Sequence, residues 1–145
     1  MIALLFLRRA SQPRSTFQLG KTERIADATC VTLNFQERVE PRIIGSSNGA
    51  AARGTFWIDV AKGRVLRSDL RLDASGGRRG PEVHSQFTAK YAHVARLDLW
   101  LPASMDESYD LLPSRQVVSG HAEYSDFRQF TVTTGIAPTD HSRAR

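Results

Sequence analysis

The sequence predicts a mainly β domain: a curved antiparallel meander sheet, or open half-barrel, of about eight strands with little helix. Apolar and polar residues alternate along most of the chain, and segments rich in Gly, Pro, Ser and Asn interrupt the alternation. No stretch shows the period of an amphipathic helix. The chain has 145 residues, 41% of them hydrophobic and 24% charged, enough for one domain to bury a core. We expect this domain to cover residues 1–134, followed by a polar tail over residues 135–145.

The clearest unit is a hairpin whose strands cover residues 54–60 and 64–72. Each strand places aliphatic and aromatic side chains on one face and polar side chains on the other, which is the pattern of a half-buried strand pair. Gly63 suits the left-handed position that closes such a hairpin. Trp57 falls on the polar face, where we expect it to stack on the stem of Arg67 or Arg71.

The other strands follow the same alternation, with a loop over residues 73–81 and a turn at Pro113 between them. Residues 1–9 contain six or seven apolar residues, far too few to span a bilayer, and we interpret them as a short buried strand. The basic pair Arg8-Arg9 follows this apolar run instead of preceding it, so the run lacks the layout of a secretory signal. The remaining strands are predicted over residues 15–19, 28–38, 83–91, 97–109, 116–124 and 127–133.

No combination of residues predicts catalysis. Cys30, the only cysteine, lies in a strand pattern and is predicted to be a small buried residue. The four histidines, His84, His93, His121 and His141, are not spaced as metal ligands. Phosphate-binding loops and nucleophile elbows are missing from the sequence. We therefore expect a non-enzymatic protein with no catalytic residue, no metal and no cofactor.

The charge pattern favours solvated strand faces. The net charge of +5 comes from scattered basic residues, so nucleic-acid binding remains only a second alternative. Glu107 is an exception, because the alternation places it on the inner face with Met105 and Tyr109. A buried carboxylate needs a partner, and we expect a structural ion pair with an arginine such as Arg128.

The apolar residues of successive strands are predicted to line one concave face. In a single-layer sheet such a face needs a cover, which a ligand, a partner or the curl of the sheet would supply. The candidate ligand-binding residues on this face are Phe56, Ile58, Leu66, Leu70, Phe87, Tyr91, Leu99, Leu101, Met105 and Tyr124.

Four segments carry a family resemblance that extends over about residues 4–134. They are Leu4-Leu5-Phe6-Leu7 with Gln12-Pro13-Arg14, Gly54-x-Phe56-Trp57-Ile58-Asp59 with the strand that follows, Leu99-Trp100-Leu101-Pro102-x-x-Met105, and Gly120-x-Ala122-x-Tyr124-Ser125-x-Phe127-Arg128. With these segments the chain resembles a family of acidobacterial proteins without an established activity. That family is similar in pattern to the lipoprotein-carrier-like class, whose periplasmic half-barrels wrap an apolar ligand in a curved antiparallel sheet.

The resemblance implies a location in the periplasm or cell envelope and a chain that corresponds to the C-terminal part of such a protein. If Met1 is the true start, we expect a cytoplasmic protein instead. The leading hypothesis is a non-catalytic envelope domain that binds a lipid or acyl chain on its concave face. The alternative is a structural module that packs on a missing N-terminal segment or, as a homo-oligomer, on another subunit. No transmembrane segment is expected.

Overall fold

The computed structural model describes residues 2–44, 50–74 and 82–132. They form one open antiparallel sheet of seven strands, which follow one another in space in the order of the chain. This confirms the mainly β meander, with seven strands in place of about eight. The strands are β1 (Ser15–Ile25), β2 (Ala28–Glu37), β3 (Ala52–Asp59), β4 (Arg64–Ala74), β5 (Glu82–Val94), β6 (Leu99–Leu112) and β7 (Gln116–Glu123). Short 3₁₀ helices cover Ile2–Leu7, Gln12–Arg14 and Ala95–Leu97.

The two faces of the sheet differ in chemistry, as the alternation predicted. Residues directly opposite one another in antiparallel strands share a face, so each row of partners identifies one side of the sheet. The row that crosses all seven strands on the side called here the apolar face is Phe17, Phe35, Gly54, Leu70, Phe87, Glu107 and Gly120. The corresponding row on the opposite side, called here the polar face, is Gln18, Asn34, Thr55, Asp69, Thr88, Asp106 and His121.

The N-terminal 3₁₀ helix, Ile2–Leu7, covers the β2–β4 part of the apolar face. Its residues Ala3 and Phe6, three positions apart, point to the same side of a helix with three residues per turn, and both are buried. The Phe6 and Phe35 rings lie 4.6 Å apart between centroids, and Phe35 stacks on Phe56 at 5.0 Å. Burying an aromatic side chain removes a large apolar area from water, so this cluster of rings is the centre of the hydrophobic core.

The observed helix corrects the predicted short strand over residues 1–9. A run of about six apolar residues fits a buried strand and a buried helix equally well, because no polar position within it reveals the period. Residues 2–7 form the 3₁₀ helix, which buries Ala3 and Phe6 against the sheet instead of adding a strand to it.

A buried carboxylate fixes the segment that follows β2. Glu37 is 1% exposed, and its Oε1 accepts a hydrogen bond from the backbone N–H of Ile43 at 2.6 Å. Its Oε2 accepts another from the N–H of Ala52 at 3.3 Å. These bonds hold Ile43 and its neighbour Ile44 against the aromatic cluster, as a second cover on the same part of the apolar face.

The predicted strand over residues 127–133 is wrong for its described part. Residues 125–132 belong to no strand of the described sheet, although Phe130 and Val132 follow the alternation. Asp126 adopts a left-handed conformation with φ of 54°, which turns the chain after β7. Phe130 is 83% exposed, so the alternation here has no partner strand to stabilise it. The predicted polar tail over residues 135–145 lies outside the described residues.

The predicted hairpin is confirmed as β3 and β4, except that Val60 lies in the turn and Leu66 is a bulge residue. Gly63 has a φ of 63°, and the Arg67 guanidinium lies 4.5 Å from the centroid of the Trp57 ring. Cys30 is buried, as expected. Within the described ranges, no helix has the length and apolar character needed to cross a bilayer.

Gly54 provides a test of how closely β2, β3 and β4 approach. A Cβ at this position would overlap the carbonyl oxygen of Asp69 and lie 2.8 Å from the Phe35 ring. We expect Gly54→Ala to lower the free energy of unfolding by about 3 kcal/mol, because the backbone carbonyl cannot move aside at low cost. Urea denaturation measures the change.

Gly63→Asn is the matched control for this substitution. The space around a Cβ at residue 63 is open, and asparagine tolerates a positive φ better than other residues with side chains. We expect a loss of about 1 kcal/mol or less. Equal losses for the two variants would contradict the close approach at Gly54.

Candidate ligand-binding cavity

A cavity of about 400 Å³ lies on the apolar face beside the N-terminal 3₁₀ helix, over β4, β5 and β6. Small-molecule sites have volumes of about 300–1,000 Å³ and are lined mostly by apolar groups. One side chain of this lining, Glu107, carries a charge. The lining residues are Ile2, Ala3, Ser68, Leu70, Phe87, Ala89, Tyr91, Met105, Glu107, Tyr109 and Tyr124.

Small residues on the central strands make room for the cavity. Ser68 on β4 and Ala89 on β5 are direct partners on the apolar face, and both are buried. Phe87 and Tyr91 flank Ala89 along β5 on this face, and the Tyr109 ring meets the Phe87 ring edge to face, with centroids 5.7 Å apart. Two short side chains between larger ones leave a depression that neither the sheet nor the 3₁₀ helix fills.

The structure brings five of the ten predicted ligand-binding residues together in this cavity. Leu70, Phe87 and Tyr91 come from β4 and β5, and Met105 comes from β6. Tyr124 follows β7, where its backbone N–H donates to the carbonyl of Ala103 at 2.9 Å. Its hydroxyl lies 3.8 Å from the Met105 sulfur.

The other five predicted residues lie elsewhere. Phe56 is fully buried in the aromatic cluster, and Ile58 packs against that cluster. Leu66 has no partner in β3, because the register passes from Arg67 to Val65 and leaves it as a bulge residue. Leu99 and Leu101 pair with the β5 residues on the opposite side of the strand from Tyr91, and Leu99 is 48% exposed.

Two pairs of polar groups interrupt the apolar lining. The hydroxyls of Ser68 and Tyr91 lie 3.0 Å apart in the buried part of the cavity. The Tyr109 hydroxyl donates a hydrogen bond of 3.0 Å to Oε2 of Glu107. Burial raises the pKa of both tyrosines above the usual value, and the adjacent Glu107 carboxylate raises that of Tyr109 further. Both phenols are therefore protonated at neutral pH.

Glu107 lies on the apolar face as predicted, but its partner differs from the expected arginine. Among the described residues, which include Arg128, no basic side chain forms an ion pair with it. Its carboxylate lies over Gly120 of β7, where a Cβ would come within 2.7 Å of Oε1. Absence of a side chain at residue 120 thus leaves the space that the carboxylate occupies.

Sequence reasoning missed several lining residues. Ile2 and Ala3 enter the cavity only because their segment is helical, and the small residues Ser68 and Ala89 contribute space instead of contact area. The Glu107–Tyr109 pair did leave a signal in the sequence. Residues two positions apart on a strand share a face, and a tyrosine hydroxyl is a natural donor for a half-buried carboxylate.

A second concavity, of about 820 Å³, lies at the end of the sheet where the β1–β2, β3–β4 and β5–β6 connections meet. Leu66 lines it together with Trp100, over whose ring the Arg64 guanidinium lies at 4.8 Å. Its lining contains the charged residues Asp27, Asp59, Lys62, Arg67 and Lys90. These charged side chains distinguish the cleft from the cavity beside the N-terminal helix, whose lining contains one.

Hydrogen bonds and ion pairs connect the side chains of the polar face. Asp69 is 6% exposed and accepts hydrogen bonds from Arg71, Gln86 and Thr88 at 3.2, 2.7 and 3.3 Å. Trp57 donates its indole N–H to Glu23 at 2.9 Å. A carboxylate with three donors needs no ligand, so these contacts indicate a structural role for this network.

Histidine–carboxylate pairs extend the polar face. His84 Nδ1 lies 2.7 Å from Asp73, which also pairs with Arg53, and His121 Nδ1 lies 2.6 Å from Asp106. In the part of the chain that the structure describes, no group of three or more His, Cys, Asp or Glu residues is placed to hold a metal ion. Burial, followed by the charge of Asp59, raises the pKa of the Cys30 thiol above its usual value.

No protein-family model, no curated protein and no solved structure matches the chain. The resemblance to the acidobacterial and lipoprotein-carrier-like proteins therefore stays a prediction, and the geometry of this chain carries the functional argument.

The polar-face histidines give a pH-dependent prediction. The hydrogen bond to Asp106 raises the pKa of His121 above its ordinary value of 6.5, and Asp73 raises that of His84 in the same way. We expect NMR titration of the imidazole protons to show both shifts. Asp106→Asn should return the His121 pKa towards 6.5 and leave His84 unchanged.

The sign of the effect on stability follows from linkage. A pKa raised by folding adds stability that is fully present below the unfolded value and is lost as the pH rises through the folded value. The wild type should therefore lose more stability than Asp106→Asn between pH 6 and pH 8, which denaturant titrations at the two pH values measure. An unchanged His121 titration in the variant would contradict the pairing.

Proposed function

We propose that the protein is a non-catalytic binding domain whose apolar face takes up a lipid or another apolar ligand in the cavity beside the N-terminal helix. The supporting observation is the cavity itself: about 400 Å³ on the apolar face of a single-layer sheet, with one charged side chain in its lining. The half-barrels that the chain resembles are periplasmic proteins that wrap an apolar ligand, and on this resemblance we propose a location in the periplasm or cell envelope.

The burial pattern supports the same proposal. Phe56 on the apolar face is fully buried, as is Phe6 of the helix that covers it, whereas Phe87, Met105 and Tyr109 on the apolar face are only partly buried. Apolar surface that remains in contact with water costs about 25 cal/mol per Å² relative to burial. A ligand that covers these side chains would remove their apolar surface from water, and this burial would contribute favourably to the free energy of binding.

Binding of N-phenyl-1-naphthylamine, a neutral dye that fluoresces in apolar surroundings, tests the proposal. The wild type should increase its fluorescence with saturation at a defined stoichiometry. Ala89→Phe should weaken binding at least tenfold, because the new ring occupies the space beside Ser68. Thr88→Phe adds the same ring to the polar face one residue away, and it should bind the dye as the wild type does.

A second variant covers the case in which Ala89→Phe does not fold. Met105→Gln keeps the length of a half-buried side chain and adds an amide that must be desolvated on ligand binding, so it should also weaken binding. Saturable binding with equal affinity in the wild type, Ala89→Phe and Met105→Gln, each folded by circular dichroism, would exclude this cavity as the site. Mass spectrometry of organic extracts of the purified protein identifies any lipid that copurifies.

A protein-interaction module is the second candidate, favoured by the free edge of β7. Within the described sheet β7 is the last strand, and its residues Val117 and Val118 are 66% and 56% exposed. An edge strand with exposed valines is a template for pairing with another chain. A lipid-free dimer in light scattering, dissociated by Val118→Lys, would favour this role, whereas a monomer would remove it.

A further inference from the structure

Glu107 places one carboxylate in a cavity whose lining is otherwise uncharged, and binding of a purely apolar ligand does not require such a group. Its Oε2 accepts one hydrogen bond, from Tyr109, and Oε1 has no donor among the described residues. A partly buried carboxylate with unused acceptor positions forms stronger contacts with a donor than the same group in water does. The lining therefore contains one anionic group, without a cationic counterpart within the described residues, beside an otherwise apolar surface.

The position of Glu107 separates a head-group end from a tail end. Glu107 and Tyr109 on β6 are partly exposed. Tyr124, which follows β7 and so lies at the β6–β7 side of the cavity, is 38% exposed. Ser68 on β4 is 1% exposed. It lies two strands from Glu107 and two residues along the strand direction, in the next row of the apolar face. The strand spacing and the rise per residue place Ser68 about 12 Å from Glu107. An amphiphile would lie between them, with its head at Glu107 and its tail over Leu70 and Ala89.

We propose that the ligand is a single-chain amphiphile with a cationic, hydrogen-bond-donating head group such as an amine, which binds the Glu107 carboxylate. This inference rests on the proposed function and narrows its ligand class. An ammonium group supplies the donors and the positive charge that Glu107 lacks, whereas a fatty-acid carboxylate would place two negative charges side by side.

The overall charge of the chain makes this preference diagnostic. The net charge of +5 attracts anions and repels cations at a distance. Selection of a cation at the cavity therefore opposes the general field of the protein, and only a local group on the apolar face accounts for it.

Displacement of N-phenyl-1-naphthylamine by decylamine, decanol and decanoate at pH 7.5 tests the inference, because the three compounds share one tail. Decylamine should displace the dye at a concentration at least tenfold lower than decanoate, with decanol between them. Glu107→Gln should remove the preference for decylamine over decanol, because the amide carries no negative charge to pair with the ammonium group. Added salt should reduce the preference, since the carboxylate is partly exposed.

Glu123→Gln is the matched control. It removes the same charge from the neighbouring strand β7, on the polar face, where the side chain is 84% exposed. The control should keep the wild-type order of affinities. The wild-type comparison of decylamine with decanoate needs no variant, so it stands even if Glu107→Gln does not fold.

The outcomes distinguish this inference from the proposed function. If decanoate binds as tightly as decylamine, or if Glu107→Gln and Glu123→Gln reduce the preference equally, the cationic head group is excluded while the apolar cavity remains. If neither the dye nor any of the three compounds binds, the proposed function fails and the inference fails with it.

Discussion

The structure depends on how a single-layer sheet covers its apolar face. Strands β1 to β5 of the meander present a continuous row of apolar positions on one side, and the exposed area would be costly in water. The cover among the described residues is small: a 3₁₀ helix of six residues and the segment held by Glu37. The Phe6, Phe35 and Phe56 rings form the contact on which this arrangement rests.

The cavity is the consequence of this incomplete cover. The helix buries the part of the face over β2 to β4, where Phe35, Phe56 and Leu70 lie. Over β4 to β6 the sheet carries Ser68 and Ala89, so its surface falls away from the helix. Apolar side chains that surround this depression keep it attractive to an apolar ligand, and Glu107 adds a charged group at its partly exposed side.

Much of the fold follows from local sequence patterns. The β3–β4 hairpin, the left-handed Gly63 and the stacking of Arg67 on Trp57 depend on neighbours in one strand pair, and alternation and turn chemistry report such contacts well. The N-terminal helix and the absence of a strand over residues 127–132 could not be predicted in the same way. A short apolar run has no distinguishing period, and the alternation near Phe130 specifies a strand only if a partner strand is available.

The candidate site was predictable in composition but not in extent. Alternation placed Leu70, Phe87, Tyr91 and Met105 on one face, yet it could not show which part of that face the helix fills. Two irregularities also changed the lining. The bulge at Leu66 and the register shift between Lys90 and Tyr91 alter the alternation, so Leu66 and Leu101 leave the surface that a regular pleat would give them.

Methyl NMR of the full chain during titration with decanol tests the central claim most directly, because it locates the ligand without a substitution. The account predicts saturable chemical-shift changes at the methyl groups of Ile2, Leu70 and Met105, which line the cavity, and none at Val117 on the polar side of β7 or at Val60 in the β3–β4 turn. Changes confined to the polar face or to the cleft at Leu66, or no saturable change at any methyl group, would contradict it.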